Sequence, residues 1–167
     1  MTRSTNRYFA ILGLIAAALS PSVAQAEVLN GSAAKVPPYQ ARGAAEVTVV
    51  GALAPSLQGK PVLVRIHADW CPACTATQST IDALRQAYVG KIDFVQFDMT
   101  NAKTATDSQA QAQNLGLEKF YSAAKAATST VAVIDPRDGK VYASFYNDGT
   151  IDDYKSVIDV ALKAESP

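Results

Sequence analysis

The chain has 167 residues, and its 15 basic and 15 acidic side chains give a formal net charge of zero at pH 7. This balance excludes the strongly basic surface that a nucleic-acid-binding protein needs. Two cysteines are too few for a small scaffold held by disulfides, and a chain of this length can bury an apolar core without them.

The first 26 residues have the layout of a secretory signal peptide. Arg3 and Arg7 precede an apolar run at residues 9–19, and Ala24-Gln25-Ala26 offers a cleavage site flanked by small residues. The run has 11 residues, whereas a membrane-spanning helix needs about 20, so a retained anchor is the less favoured alternative. We predict a signal peptide over residues 1–26, a periplasmic mature protein and no stable membrane insertion after cleavage. Removing two basic side chains and no acidic one leaves a net charge of −2.

The first half of the remaining chain predicts an arm, two strands and a helix. Residues 27–45 contain small residues and two consecutive prolines, which indicates an extended N-terminal arm. Residues 46–53 are β-branched and predict a short strand, and the continuous apolar run at 61–68 predicts a buried central strand. Residues 71–90 then show helical spacing and end at a glycine, which predicts one helix.

The second half predicts a strand at 91–100, helices at 104–117 and 118–127, and two strands around a Pro-Arg-Asp-Gly turn. The last helix is the clearest, because Thr150 and Asp153 form a capping box ahead of an apolar stripe. Parallel strands joined by helices, followed by a hairpin, indicate one α/β domain over residues 46–167 with a mixed central sheet.

Both cysteines, the only histidine and the only tryptophan of the chain lie in the stretch RIHADWCPACT. Cys71 and Cys74 come at the start of a predicted helix that follows a buried strand, with Pro72 in the first turn. Free N–H groups at a helix start stabilise a thiolate, which is the species that attacks disulfides and binds metals. A passive disulfide, a metal clip and a redox pair all remain open, and the position between strand and helix favours the redox pair.

The stretch Ala-Asp-Trp-Cys-Pro-Ala-Cys after a buried strand, together with the predicted element order, resembles the thioredoxin-like superfamily over residues 46–165. It is also similar to the periplasmic thioredoxin-like domain of transmembrane thiol reductases. The resemblance implies a thioredoxin-like α/β/α sandwich with a mixed central sheet.

The resemblance also assigns roles within the motif. Cys71 is expected to be the exposed attacking thiol and Cys74 the buried resolving thiol. Trp70 is expected to form part of the substrate platform, and Pro72 and Ala73 to tune the redox potential.

Three residues depart from the family. Ser129 takes the place of the cis-proline that faces the cysteines, and because a cis bond before serine costs about 2.5–4 kcal/mol we expect a trans bond there. Arg65 replaces the buried acid that many members use to handle the proton of the resolving thiol, and we expect its side chain to reach the surface. His67 is interpreted first as a packed neutral imidazole, with a proton carrier or a metal ligand as alternatives.

The leading functional hypothesis is a periplasmic thiol–disulfide oxidoreductase without a cofactor, and the motif favours a reductase. Its expected partners are protein disulfides or dithiols and a membrane thiol donor, and no nucleic acid. The second hypothesis is a copper- or zinc-binding protein or metallochaperone that uses Cys71, Cys74 and His67, since Ser129 leaves room at the sulfurs. The third is a partner-binding module in which the cysteine pair stays oxidised.

Overall fold

The computed structural model describes residues 50–147 and 150–165. Four strands form one sheet: β1 (Val62–His67), β2 (Asp93–Asp98), β3 (Thr130–Ile134) and β4 (Val141–Tyr146). The α-helices of this part of the chain are α1 (Pro72–Ala76), α2 (Gln78–Ala87), α3 (Ala102–Leu115), α4 (Glu118–Ala124) and α5 (Ile151–Glu165). A one-turn 3₁₀ helix, Pro55–Leu57, precedes β1.

The strands are arranged in the order β2-β1-β3-β4. β1 runs parallel to β2 and antiparallel to β3, and β3 pairs with β4 as an antiparallel hairpin. The prediction of an α/β sandwich with a mixed central sheet is therefore confirmed. Because β1 lies inside the sheet and helices cover both faces, five of its six residues are buried, as its apolar run predicted.

Alternate residues of β1 contribute to two separate cores, one on each face of the sheet. Val62, Val64 and Ile66 pack against residues of α3 and α4 on one face. Leu63 belongs to the core of the other face, which α2 and α5 cover. Arg65 and His67 follow Leu63 at intervals of two residues, so their side chains leave the strand on this second face.

The prediction of a strand at residues 46–53 is wrong for residues 50–53, the part of this range that the structure describes. Residues 46–49 lie outside the described part, and residues 50–53 form no strand. This segment instead bonds to the β3–β4 turn, because Val50 N donates to Gly139 O and Leu53 N donates to Pro136 O, each at 2.9 Å. Gly139 has φ +73°, and a Cβ on it would lie 2.0 Å from Gly51 O, so the close approach requires glycine.

The single helix predicted at residues 71–90 is divided into α1 and α2 at Thr77. The Thr77 hydroxyl donates to Ala73 O at 3.0 Å and to Cys74 O at 3.3 Å. Arg65 Nη2 also donates to Cys74 O at 2.7 Å. Side-chain donors inserted at this turn compete with the helical ladder, which is a known cause of kinks.

The other predicted elements are found with shifted ends. The segment at 100–128 forms α3 and α4, and α3 ends at Gly116 in the left-handed conformation. The capping box of α5 is present, since Thr150 N donates to Asp153 Oδ2 and Asp153 N donates to Thr150 Oγ1. The expected signal peptide and N-terminal arm lie outside the described residues. Within those described, no helix combines the length and the apolar character needed to cross a membrane.

Candidate active site

The cysteines lie at the carboxyl end of β1, at one edge of the sheet. The chain turns just after this strand, where Cys71 N donates to Ala68 O at 3.1 Å, and α1 begins at Pro72. Because β2 is parallel to β1 and β3 is antiparallel to it, the end of β2 and the start of β3 meet at the same edge. Three separate parts of the chain therefore build the surroundings of the two sulfurs.

Cys71 is the cap residue of α1, and its sulfur accepts a hydrogen bond from Cys74 N at 3.2 Å. Burial alone would raise the pKa of Cys71, but hydrogen bonds from the side chains of Cys74 and Thr128 and from backbone N–H groups hold it below its ordinary value. Both cysteines are free thiols in this structure. The local geometry therefore favours a thiolate at Cys71.

Cys71 was expected to be exposed, and this prediction is wrong, because only 5% of the residue is accessible to solvent. The sulfur packs in a small cluster with Ala68 and Cys74, which Ala73 and Met99 partly cover. Cys71 is still the more accessible of the two, since Cys74 is fully buried.

Cys74 is set apart from Cys71 by its environment. Burial raises the pKa of the Cys74 thiol, its hydrogen bond with Cys71 raises it further, and the Arg65 guanidinium acts in the opposite direction. One thiol is thus prepared to ionise and the other to remain protonated. The resemblance implied the roles of attacking thiol for Cys71 and resolving thiol for Cys74, and these roles stay predictions.

Arg65 does not reach the surface, and the interpretation from sequence was wrong. The residue is 1% exposed, and its guanidinium bonds to Cys74 O and, through Nη1 at 2.8 Å, to Gln78 Oε1. Nε is buried with no hydrogen-bond partner among the described residues. The Cys74 carbonyl is available as an acceptor because the helix breaks after α1, which a sequence pattern does not indicate.

Trp70 projects into solvent beside the cysteines, with 62% of the residue exposed. Its indole Nε1 donates to Thr100 O at 3.0 Å, and Asp69 N donates to Thr100 Oγ1 at 3.0 Å. Thr100 is in turn held by Asp98 Oδ1, which accepts from its backbone N–H at 2.7 Å. The segment after β2 therefore fixes the tryptophan, and sequence reasoning missed Thr100 because a threonine in a loop carries no distinctive pattern.

His67 is not brought together with the two cysteines as a ligand set. Its Nε2 lies 3.1 Å from Asp69 Oδ1, and its Nδ1 is buried without a partner among the described residues. Within residues 50–147 and 150–165, no three histidine, cysteine, aspartate or glutamate side chains are grouped so that they could hold a metal ion. The predicted metal set of Cys71, Cys74 and His67 is therefore absent from this geometry.

Ser129 lies at the same edge, where its N–H donates to Ile66 O at 2.9 Å. The expected trans bond is confirmed, since no peptide bond of the described residues is cis. The residue adopts φ +73°, which is unfavourable for serine, and its buried hydroxyl has no hydrogen-bond partner in the described part of the chain. Its neighbour Thr128, which the sequence patterns did not single out, contributes through its side chain to the lowered pKa of Cys71.

The family model described as Thioredoxin matches residues 52–131 of this chain. The thiol:disulfide interchange protein TxlA of Synechococcus elongatus is 41% identical over 44 residues, which are 26% of this chain and 23% of that protein. A TxlA homolog of Synechocystis sp. is 36% identical over 45 residues, covering 27% of this chain and 25% of the relative. These alignments span about a quarter of the length of each curated relative.

Among solved structures, a thiol:disulfide interchange protein of the thioredoxin family from Chlorobium tepidum TLS is similar at 18% identity and a TM-score of 0.46. That similarity covers 64% of this chain and 83% of the other.

Proposed function

We propose that this chain, as a member of the thioredoxin-like superfamily, is a thiol–disulfide oxidoreductase. Its reacting groups are the thiols of Cys71 and Cys74. The observation that carries the proposal is the asymmetry of the pair. The Cys71 sulfur accepts a hydrogen bond from Cys74 N and has a lowered pKa, whereas the fully buried Cys74 thiol has a raised one.

The reaction balances with these two sulfurs and requires no cofactor. In the reducing direction the Cys71 thiolate attacks a substrate disulfide, so one S–S bond breaks, a mixed disulfide forms and the first substrate thiolate leaves. Cys74 then loses its proton, and its thiolate attacks the Cys71 sulfur and displaces the second substrate thiolate. Two electrons pass from the protein dithiol to the substrate disulfide, and the leaving thiolates take up protons.

The proposed direction is reduction of disulfides in protein substrates. The stretch Ala-Asp-Trp-Cys supports this direction through its similarity to thiol reductase domains, as does the absence of histidine between the cysteines. A cycle that reduces substrates oxidises the pair at each turnover. A thiol donor must restore the dithiol, and we propose a membrane-bound one for a periplasmic protein.

Periplasmic location is supported by the N-terminal sequence, where basic residues, an apolar run and Ala24-Gln25-Ala26 follow one another. Cell fractionation followed by N-terminal sequencing tests it. The expected product is a periplasmic chain that starts at Glu27. Recovery of uncleaved protein from the cytoplasm would contradict the proposed location without affecting the proposed chemistry.

The activity is tested by equilibrating the protein with defined ratios of reduced and oxidised glutathione and trapping its thiols with an alkylating agent. The pair should titrate as one two-electron couple, and reduced protein should be alkylated first at Cys71. Cys71→Ser should abolish disulfide reduction, and Cys74→Ser should accumulate mixed disulfides with substrates. A pair that stays oxidised in excess thiol, or equal alkylation rates at both sulfurs, would refute the proposal.

Metal content after purification under reducing conditions separates this function from the metal-binding alternative. An oxidoreductase of the proposed kind should be isolated without stoichiometric copper or zinc. If metal is retained, His67→Ala should leave it bound, because His67 is engaged by Asp69 rather than by the sulfurs.

A further inference from the structure

Arg65 occupies an unusual position, because a positive charge is buried directly behind the cysteine pair. It lies in the middle of β1, in register with Gln96 of β2 and Val131 of β3. With 1% of the residue exposed, it is among the largest fully buried side chains of the described residues. Desolvation accordingly lowers the pKa of Arg65.

The guanidinium is hydrogen-bonded to neutral groups. Nη2 donates to the Cys74 carbonyl at 2.7 Å, and Nη1 donates to the Gln78 amide oxygen at 2.8 Å. Gln78 Nε2 in turn donates a hydrogen bond to Asp82 Oδ1 at 3.0 Å. Asp82, however, lies on the exposed surface of α2. A buried cation without a carboxylate in direct contact is costly, and it gains most from any anion that forms nearby.

The charges around Arg65 can be named from each element that packs on it. Cys74 of α1 acts on it most strongly, Arg85 and Asp82 of α2 act in opposite directions, and Tyr154 of α5 acts from across the core. Among these residues, Cys74 belongs to the cysteine pair, and the charge of that pair changes during the proposed reaction. The reduced pair carries a thiolate, whereas the disulfide is neutral.

We propose that Arg65 is a positioning residue whose buried positive charge stabilises the thiolate-bearing reduced pair relative to the disulfide. This inference rests on the proposed function and deepens it. When Cys71 and Cys74 form a disulfide, the pair next to the guanidinium loses its negative charge, and the guanidinium remains buried among neutral acceptors. The charge therefore raises the reduction potential of the pair and assists ionisation of Cys74 during resolution. An arginine cannot accept the proton of Cys74, so this assistance is electrostatic and differs from base catalysis by a buried carboxylate.

The test compares substitutions that keep or remove the charge. Arg65→Lys keeps a cation, Arg65→Gln keeps a hydrogen-bond donor without charge, and Arg65→Met supplies an unbranched apolar chain suited to a buried position. Each protein is equilibrated with glutathione, where the protein disulfide and two glutathione thiols yield the dithiol and oxidised glutathione. Both neutral variants should shift the equilibrium about tenfold toward the disulfide, equal to a potential about 30 mV more negative. Arg65→Lys should stay within about threefold of the unsubstituted protein.

A second readout is the pH dependence of Cys71 alkylation. Its midpoint should rise in both neutral variants and change little in Arg65→Lys, which a purely structural role would not produce. Asp82→Asn is the matched control, because it removes an exposed charge two hydrogen bonds away and should leave the potential unchanged.

An unchanged potential in both folded neutral variants, or an equal shift in Arg65→Lys, would overturn the role of the charge. These results leave the proposed function intact. If the unsubstituted pair fails to exchange with glutathione, the function is refuted, and the inference fails with it.

Discussion

Replacing Ser129 by glycine is expected to stabilise the fold by about 1–3.5 kcal/mol, although no contact is gained. Serine at φ +73° carries strain of about 1 kcal/mol that glycine does not. Its buried hydroxyl, which has no partner among the described residues, adds a desolvation cost of about 1–3 kcal/mol. The greater chain entropy of unfolded glycine offsets about 0.4–1 kcal/mol of this gain.

Urea unfolding of the reduced protein in the presence of a chelator measures the difference. Ser129→Ala separates the two contributions, because it removes the hydroxyl and keeps the strained backbone, so it should fall between serine and glycine. Ser129→Pro should destabilise strongly, since proline cannot adopt φ +73° and has no N–H to donate to Ile66 O. If glycine and alanine both destabilise, the hydroxyl is making a stabilising contact and the reasoning is refuted.

Three further changes test other parts of the structure. Gly139→Ala should cost at least about 2 kcal/mol in urea unfolding, because the new Cβ would meet the Gly51 backbone at 2.0 Å and the φ is positive. Asp135→Asn should cost about 1–3 kcal/mol at neutral pH, because the buried carboxylate accepts three hydrogen bonds from Arg137. These bonds hold the pKa of Asp135 well below its ordinary value, so they contribute above about pH 4 and their contribution fades as the pH falls below that. Trp70→Ala should slow reduction of a protein disulfide and leave the thermal midpoint nearly unchanged, since the ring is mostly exposed.

Each of these has a control that isolates the cause. Gly90 has the same φ as Gly139, but a Cβ added to it would meet nothing within 4 Å, so Gly90→Ala measures backbone strain without the clash. If Gly90→Ala and Gly139→Ala lowered the free energy of unfolding equally, the clash with the Gly51 backbone would be shown to be relieved at no cost. Asp138→Asn removes an exposed carboxylate from the same turn, and it should leave the acid limb of the stability curve unchanged. A low-molecular-weight disulfide should be reduced at the same rate by Trp70→Ala as by the unsubstituted protein.

The sequence was most informative where one physical effect dominated. A strand that is apolar at every position buries all of its side chains only inside a sheet covered on both faces, and β1 is found in such a position. The Thr150–Asp153 box similarly predicted the start of α5, because capping depends on neighbouring residues alone. Cys71 and Cys74 were placed correctly at a strand–helix junction for the same local reason.

The errors concern features that depend on distant parts of the chain. The burial of Arg65 is supported by the Cys74 carbonyl, which is available as an acceptor where the helix breaks near Thr77, whereas isolated arginines more often reach water. Thr100 and Thr128 act through hydroxyl groups in loops, which have no periodicity to detect. Residues 50–53 had the composition of a strand, but their hydrogen bonds go to the β3–β4 turn.

The contact between the segment at Val50 and the β3–β4 turn determines where the chain enters the domain. β3 begins beside Ile66 at the cysteine edge and ends with Ile134 opposite Val62, at the start of β1. The turn that receives Val50 therefore lies at the other edge of the sheet, about 15–20 Å away along the strands. The described part of the chain therefore begins at the edge of the sheet opposite the cysteines.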